Sequence, residues 1–242
     1  MPSRVSLFVP CFVDQLTPEV AVDSVTLLRR LGYEVDFPED QTCCGQPAFN
    51  TGYWDETRPC AEKFLHVFRD SECVVCPSGS CTAMVRNFYP ELLAFGPSRL
   101  EAIALGRRTF ELSEFLVKVA GKSDVGATFP HTVTYHASCH GLRELGLRDE
   151  PRQLLRQVRG LKLLDMLRSD ECCGFGGTFA TKFSDISVAM GNSKADSIAV
   201  TGAEFVTATD SSCLLHLQGI LQKRNAQVRT IHLASILAQE RA

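Results

Sequence analysis

A vicinal cysteine pair followed by glycine occurs twice in this 242-residue chain, and each pair lies between two further cysteines. In the first copy, 31 residues separate the first cysteine from the pair and 36 separate the pair from the last cysteine, and the second copy has 32 and 39. Random placement would not reproduce such a pair twice, so the spacing predicts an internal duplication. The repeated cysteines are Cys11, Cys43, Cys44 and Cys81 in the first copy and Cys139, Cys172, Cys173 and Cys213 in the second.

The hydrophobic pattern around these cysteines alternates between strand-like and helix-like segments in both copies. Residues 4–10 form a short apolar run typical of a buried strand, and residues 18–31 carry apolar side chains at helical spacing. Residues 132–137 and 151–158 repeat this order. The alternation predicts an α/β fold with a small parallel sheet flanked by helices in each copy. The other predicted strands are residues 33–37, 72–76, 161–166 and 204–208, and the other predicted helices are residues 54–68, residues 187–200 and one from Cys213.

The two copies are predicted to be pseudo-symmetric repeats that meet in a polar, glycine-containing stretch, residues 121–126. Residues 108–116 and 229–237 end the two copies with similar sequences, which supports this division. We therefore assign residues 1–123 to the first repeat and residues 124–242 to the second. In both, the cysteines follow predicted strands, at the edge where open parallel sheets place their sites.

The overall composition argues against several classes of function. Lys and Arg number 25 against 28 Asp and Glu, a formal net charge of −3, which argues against a nucleic-acid-binding surface. No apolar run approaches the roughly 18 residues of a membrane span, and Pro10 and Asp14 make residues 1–16 a poor signal peptide. We expect a cytoplasmic location, where eleven cysteines indicate metal or redox chemistry rather than disulfides.

Four thiolates that converge at one sheet edge suit either an iron–sulfur cluster or a tetrahedral zinc ion. Neighbouring side chains diverge in an extended chain, so a vicinal pair reaches two irons of one cluster more easily than one zinc ion. Structural zinc sites favour C-x2-C spacing, which occurs here only between Cys73 and Cys76. The pattern therefore favours two iron–sulfur clusters, and a zinc-stabilised binding protein without redox function is the alternative.

The repeated motif resembles the cysteine-rich CCG domain of heterodisulfide reductases, which also occurs in iron–sulfur subunits of glycolate oxidase and anaerobic glycerol-3-phosphate dehydrogenase. The strings CCGQPAFN at residues 43–50, CPSGSC at 76–81 and CCGFGG at 172–177 are most similar to the lactate utilization protein A family. The resemblance covers nearly the whole chain. It implies an iron–sulfur electron-transfer subunit that works with companion subunits in oxidising L-lactate to pyruvate, with the repeated cysteines as metal ligands.

The resemblance is incomplete at the last cysteine motif. Heterodisulfide reductase relatives have C-x2-C there and five thiols in all, whereas the first position of that motif is Ser78 in the first copy and Asp210 in the second. Four thiols per copy make an ordinary [4Fe–4S] cluster the expected cofactor, with Cys76 and the Asp210 carboxylate as candidate extra ligands. A thiol/disulfide reductase of the heterodisulfide reductase type is a second alternative function.

Glycines beside the cysteine pairs are predicted to leave room for a cluster and to point backbone N–H groups at its sulfurs, which raises its reduction potential. Residues 174–177 lack the G-x-G-x-x-G spacing of a nucleotide-binding loop. No catalytic residue is identified. The candidate cofactor-binding glycines are Gly45, Gly174, Gly176 and Gly177.

Two cysteines and three histidines near the motifs are predicted to be structural. Free cysteine is often a small buried hydrophobe, which is the expectation for the two unrepeated cysteines. Two histidines flank a repeated cysteine and could bond to cluster sulfurs or replace a thiol ligand, but a packed or solvent-facing role is favoured. A third is expected to lie behind the second site or at the surface. These residues are Cys60 and Cys73, then His136 and His140, then His216.

Overall fold

The computed structural model describes residues 2–240, and its contacts divide the chain into two compact units, one ending at Gly121 and the other beginning at Lys122. Each unit contains one four-stranded sheet. Within residues 2–240, none of the helices has the length and apolar character needed to cross a bilayer.

The sheet of the first unit is parallel throughout and has the order β2-β1-β3-β4. Strand β1 lies between β2 and β3, so the loops that follow these three strands emerge side by side. The central strands are short and buried, as expected where helices cover a parallel sheet. The strands are β1 Arg4–Leu7, β2 Glu34–Asp36, β3 Val74–Cys76 and β4 Thr109–Glu111.

The sheet of the second unit repeats this topology, with the parallel order β6-β5-β7-β8. Its first strand in sequence again lies between the second and the third. The predicted fold class, two pseudo-symmetric α/β repeats with small parallel sheets, is confirmed. The strands are β5 Thr132–Tyr135, β6 Lys162–Leu164, β7 Phe205–Ala208 and β8 Arg229–His232.

Helices provide the crossovers that parallel strands require. The predicted helix over residues 54–68 is found with those limits, and the one predicted at 187–200 is longer by a few residues. The first unit contains Cys11–Leu16, Pro18–Arg30, Gln46–Phe49, Trp54–Phe68, Gly79–Ala83, Tyr89–Leu92, Arg99–Gly106 and Leu112–Glu114, with π-helical turns at Met84–Phe88 and Phe115–Val119. The second contains Glu150–Gln157, Thr178–Lys182, Ser184–Thr201, Ser211–Lys223 and Leu233–Ala238, with a π-helical turn at His140–Glu144.

The similar segments that end the two repeats form the fourth strand and the last helix of each sheet. Strand β4 runs into Leu112–Glu114, and β8 runs into Leu233–Ala238. Each helix is capped by the last residue of its strand: the Glu111 carboxylate accepts from the Ser113 and Glu114 backbone N–H groups, and His232 Nδ1 accepts from the Ala234 N–H at 3.1 Å. The sequence similarity at 108–116 and 229–237 therefore reflects a repeated strand–helix corner.

The core of the first unit is aromatic. The Phe8 ring packs edge-on against Phe64 and Phe68, with centroid distances of 4.9 and 5.7 Å. Tyr89 packs edge-on against Phe64 at 5.6 Å and is itself fully buried. These rings belong to the same apolar cluster as Cys44, Cys76 and Cys81.

Candidate metal centres

Three loops at the C-terminal edge of the first sheet deliver four thiols to one place. Cys11 begins the helix Cys11–Leu16 after β1, and Cys81 lies in the first turn of Gly79–Ala83 after β3. Cys43 and Cys44 lie in the loop after β2. Because β1 is flanked by β2 and β3, this is the point where the crossovers leave in opposite directions, and open α/β sheets place ligands there.

The four sulfurs of this first site form two close pairs. Cys11 Sγ lies 3.3 Å from Cys43 Sγ, and Cys44 Sγ lies 3.4 Å from Cys81 Sγ. Cys44 and Cys81 are buried, whereas Cys11 and Cys43 are partly exposed. The structure thus brings together all four repeated cysteines of the first copy.

The Cys-Cys-Gly turn of the first site is held by neighbouring groups. Gly45 has φ +80° and donates its N–H to Cys43 Sγ at 3.4 Å. The Tyr89 hydroxyl donates to the Cys44 carbonyl at 3.0 Å. On the facing loop, the Ser78 hydroxyl caps a helix by accepting from the Cys81 N–H at 3.3 Å. Ser78, which replaces a cysteine of the related motif, therefore positions a thiol.

The second unit builds the same arrangement after β5, β6 and β7. The Cys139 thiol hydrogen-bonds to Cys172, and Cys173 interacts in the same way with Cys213. The backbone N–H of Gly174 points at Cys172 Sγ at 3.4 Å, as Gly45 does in the first site. The Phe175 N–H adds a second backbone donor, 3.5 Å from Cys173 Sγ.

The two thiols of the pair Cys11–Cys43 differ in pKa, as do those of Cys139–Cys172, because one of them donates a hydrogen bond to the other. The hydrogen bond from Cys11 holds the pKa of Cys43 well below its usual range, and that from Cys139 does the same for Cys172. The pKa of Cys11 is raised by this hydrogen bond and by burial. Each site therefore contains a thiol that is readily ionised, and thiolate is the form that binds metal.

The second site also contains two buried basic side chains. His136 is fully buried near the end of β5, and burial, followed by the charge of Lys194, lowers its pKa to about 4. Lys194 is also fully buried, and its Nζ donates to the Arg168 carbonyl at 2.6 Å. One ligand atom of His136 and the sulfurs of Cys173 and Cys213 all lie within 4.8 Å of one another. The sequence favoured a structural role for His136, but the structure places it among the thiols.

The unrepeated cysteines of the first unit have different surroundings. Cys73 is buried immediately before β3, and burial raises its pKa to about 12, as expected of a thiol packed as a hydrophobe. Cys60 is partly exposed, and its Cβ faces Gly45 of the Cys-Cys-Gly turn. Cys76, at the end of β3, is fully buried in the apolar cluster that contains Cys44 and Cys81.

The remaining predicted residues lie around the second site. His140 Nδ1 lies 3.6 Å from Cys139 Sγ. The His216 ring packs 6.2 Å from the ring of Phe175, and burial lowers its pKa. Asp210 is buried and precedes the helix that carries Cys213.

Gly176 and Gly177 contribute carbonyl groups to a helix start, whereas Gly45 and Gly174 contribute N–H groups to cysteine sulfurs. The Gly176 and Gly177 carbonyls accept from Phe179 and Ala180 at 3.2 and 3.3 Å, which starts the helix Thr178–Lys182. We find an N–H donor to sulfur at Gly174 and at Phe175. The loop residue Phe175 was not singled out from the sequence, because a backbone donor leaves no mark on residue type.

The chemistry of the donors matches a metal or an iron–sulfur cluster. Each unit offers four thiols from three loops, at least one of them acidified, together with backbone N–H groups directed at sulfur. Thiolate ligands with N–H donors around them are the protein's usual contribution to iron–sulfur sites.

Comparison with known proteins agrees with this duplication. The model of the cysteine-rich domain called CCG matches residues 5–86 and again residues 133–218. The chain is 45% identical over 235 residues to "Lactate utilization protein A" of Bacillus subtilis, covering 97% of this chain and 98% of that protein. It is 46% identical over 240 residues to the protein of the same name from an Exiguobacterium species, covering 98% and 97%.

A solved structure with little sequence similarity has the same fold. A hypothetical protein from Helicobacter pylori superposes with a TM-score of 0.67 at 11% identity, over 98% of this chain. This chain spans about half, 48%, of that longer one. The duplicated match and the near full-length relatives show that the chain belongs to the cysteine-rich CCG domain family and carries the domain twice.

Proposed function

We propose that this chain is an iron–sulfur electron-transfer subunit of a system that oxidises L-lactate to pyruvate, with one cluster in each repeat, residues 1–123 and 124–242. The observation that carries the proposal is the convergence of four thiols at the C-terminal edge of each duplicated sheet. The proposed ligands are Cys11, Cys43, Cys44 and Cys81 for the first cluster and Cys139, Cys172, Cys173 and Cys213 for the second.

The vicinal cysteines support a cluster over a single zinc ion. Each sulfur of the first Cys-Cys pair lies beside a different partner thiol: Cys43 Sγ is 3.3 Å from Cys11 Sγ, and Cys44 Sγ is 3.4 Å from Cys81 Sγ. The pair thus occupies two separate positions in the site, as expected where neighbouring thiolates bind different irons of one cluster. Structural zinc sites favour C-x2-C spacing, which the repeated cysteines lack.

The protein's own groups prepare each site for an anionic iron–sulfur group. A bound cluster supplies one-electron transfer, and two [4Fe–4S] clusters are the natural complement of four thiols per site. The Gly45 and Gly174 N–H groups donate to sulfur and so stabilise negative charge there. Burial of Cys44 and Cys173 limits the access of water to the inner side of each site.

The lactate assignment rests on the family relationship. The relatives that match over nearly their whole length carry the name lactate utilization protein A. Oxidation of lactate releases two electrons, which two one-electron sites can take singly. We propose that companion subunits bind lactate and that the complex works in the cytoplasm, where the many free thiols stay reduced.

The metal proposal is tested by purification and reconstitution without oxygen. We expect a brown protein with about eight iron and eight sulfide per chain, four of each per cluster. Cys44→Ser should remove about half of the iron, and Cys60→Ser, a partly exposed cysteine outside the repeat, should keep all of it. Zinc without sulfide, or full iron retention in Cys44→Ser, would overturn the proposal.

The electron-carrier role is tested with lactate. The cluster-loaded chain alone should not reduce an artificial acceptor when L-lactate is added, and activity should appear when its companion subunits are co-purified. Lactate oxidation by the isolated chain would contradict the assignment and require a substrate site within these two units.

A further inference from the structure

The two sites differ at one buried position close to their first cysteine. Phe8 stands three residues before Cys11, and His136 stands three residues before Cys139. Both side chains have no exposed surface. The duplicated fold therefore places an imidazole where the first unit has a phenyl ring.

A second buried position also carries an aromatic side chain in the first unit and a nitrogen-bearing side chain in the second. Thr57 and Ser187 occupy equivalent positions in the two units. Each is the residue that a side chain on the glycine of its own Cys-Cys-Gly turn would meet first. Seven residues later stand Phe64 in the first unit and Lys194 in the second, both buried. The packed aromatic pair beside the first site is thus replaced by two nitrogen-bearing side chains beside the second.

The two nitrogen-bearing side chains are not satisfied equally. Lys194 Nζ donates to the Arg168 carbonyl. The two ring nitrogens of His136 are buried and have no hydrogen-bond partner among the described residues. Burying an imidazole without partners costs free energy compared with the phenyl ring that the fold accepts at the equivalent position.

The position of the ring indicates what its nitrogen binds. One His136 nitrogen forms, with the sulfurs of Cys173 and Cys213, a buried group of donor atoms within 4.8 Å of one another. Imidazole nitrogen is a common ligand of iron, and metal ligation would satisfy a nitrogen that has no partner within residues 2–240.

We propose that His136 is a ligand of the metal group held by Cys173 and Cys213, so that the second site binds through nitrogen and sulfur and the first through sulfur alone. This inference rests on the proposed function and deepens it. A neutral imidazole adds no negative charge to the cluster, whereas a thiolate at the same position would, so replacing His136 by cysteine should lower the reduction potential of the second site.

The test isolates the second site and observes nitrogen directly. In the full-length Cys44→Ser variant, which should retain only the second cluster, protein labelled with 15N-histidine is reduced and examined by pulsed electron paramagnetic resonance. We expect a strongly coupled histidine nitrogen, its loss in His136→Phe, and its retention in His140→Gln. His140 is the matched control because its Nδ1 lies 3.6 Å from Cys139 Sγ and could bond to sulfur without ligating metal.

A variant that keeps a ligand at the position separates ligation from folding. His136→Cys should bind iron at the second site, lose the nitrogen coupling and lower the reduction potential of that site. Wild-type protein with two clusters but no strongly coupled nitrogen, or with coupling lost in His140→Gln and kept in His136→Phe, would overturn the inference and leave the proposed function intact. Protein that binds no cluster would instead overturn the proposed function.

Discussion

The Tyr89 hydroxyl donates a hydrogen bond of 3.0 Å to the carbonyl of Cys44, a residue 45 positions earlier in the chain. Both groups are buried, and Tyr89 also packs edge-on against Phe64. The bond ties the Cys-Cys-Gly turn of the first unit to the helix Tyr89–Leu92. The shape of the turn therefore depends on a residue far outside the cysteine motif.

Removal of this hydroxyl should destabilise the protein and weaken the first site. Tyr89→Phe leaves the Cys44 carbonyl buried without this donor, and we expect the free energy of unfolding to fall by about 1–3 kcal/mol. Chemical denaturation measures this loss, and metal analysis should show iron lost first from the first site. Tyr53→Phe is the control, because Tyr53 is exposed. Equal stability of the two variants would show that the hydrogen bond contributes nothing.

Position 174 requires glycine for two reasons: its backbone conformation and the lack of room for a side chain. Its φ is +94°, and a Cβ there would lie 2.5 Å from the Ser187 carbonyl oxygen. Gly202 also has positive φ, +67°, but a Cβ there would meet no atom of the described residues within 4 Å. Gly202→Ala should cost about 1–2 kcal/mol for the left-handed conformation alone. Gly174→Ala should cost more, by about 1–3 kcal/mol for overpacking.

Thermal or chemical unfolding of the two glycine variants measures this difference. Gly174→Ala should also lower the iron content of the second site, because moving the turn away from Ser187 displaces the backbone N–H that donates to Cys172 Sγ. A cost no greater than that of Gly202→Ala would show that the turn can move away from Ser187 without strain.

The positions of the cysteines and the alternation of strands and helices could be predicted from sequence, because the same pattern occurs in both halves of the chain and each half supports the assignment in the other. Cys11 shows where prediction from local pattern stops. The apolar run of residues 4–10 predicts a strand that leads straight into Cys11, but β1 ends at Leu7 and Cys11 begins the helix Cys11–Leu16. The strands also proved shorter than predicted, because the apolar run continues into buried loop residues such as Phe8.

Contacts between distant residues were beyond sequence reasoning. Tyr89 carries no motif, and its role depends on a tertiary contact with Cys44. His136 could be aligned with Phe8 through the repeat, but its burial and its lack of hydrogen-bond partners among the described residues are properties of packing. A position-by-position comparison of the two repeats would have drawn attention to His136, because it stands where the first repeat has Phe8.

Cys73 should be dispensable for metal binding. It is buried in the core of the first unit, and burial raises its pKa to about 12. Cys73→Ala should cost about 1 kcal/mol for the lost sulfur and leave the iron content unchanged. In folded wild-type protein, iodoacetamide should modify Cys73 only after denaturant is added, which peptide mass analysis detects. Loss of iron in Cys73→Ala would place this thiol at the site.

Glu204 should make the stability of the second unit depend on pH at the acidic end. Its carboxylate accepts from the Thr132 N–H at 2.7 Å and the Thr132 hydroxyl at 3.0 Å, and lies 3.1 Å from His131 Nδ1. These bonds, the backbone N–H of Thr132 first, lower the pKa of Glu204 from 4.5 to about 2. Because the folded pKa is lower than the unfolded one, the stabilisation is complete above pH 4.5 and is lost as the pH falls towards 2.

Urea unfolding of wild type and Glu204→Gln at several pH values tests this dependence. The wild type should be the more stable near pH 7, and the difference should shrink steadily below pH 4.5, where the unfolded carboxylate takes up a proton. Glu62→Gln, an exposed residue within the helix Trp54–Phe68, is the matched control and should show no such trend. A difference between wild type and Glu204→Gln that stays constant from neutral pH to strongly acidic pH would show that the Glu204 charge does not stabilise the junction between β5 and β7.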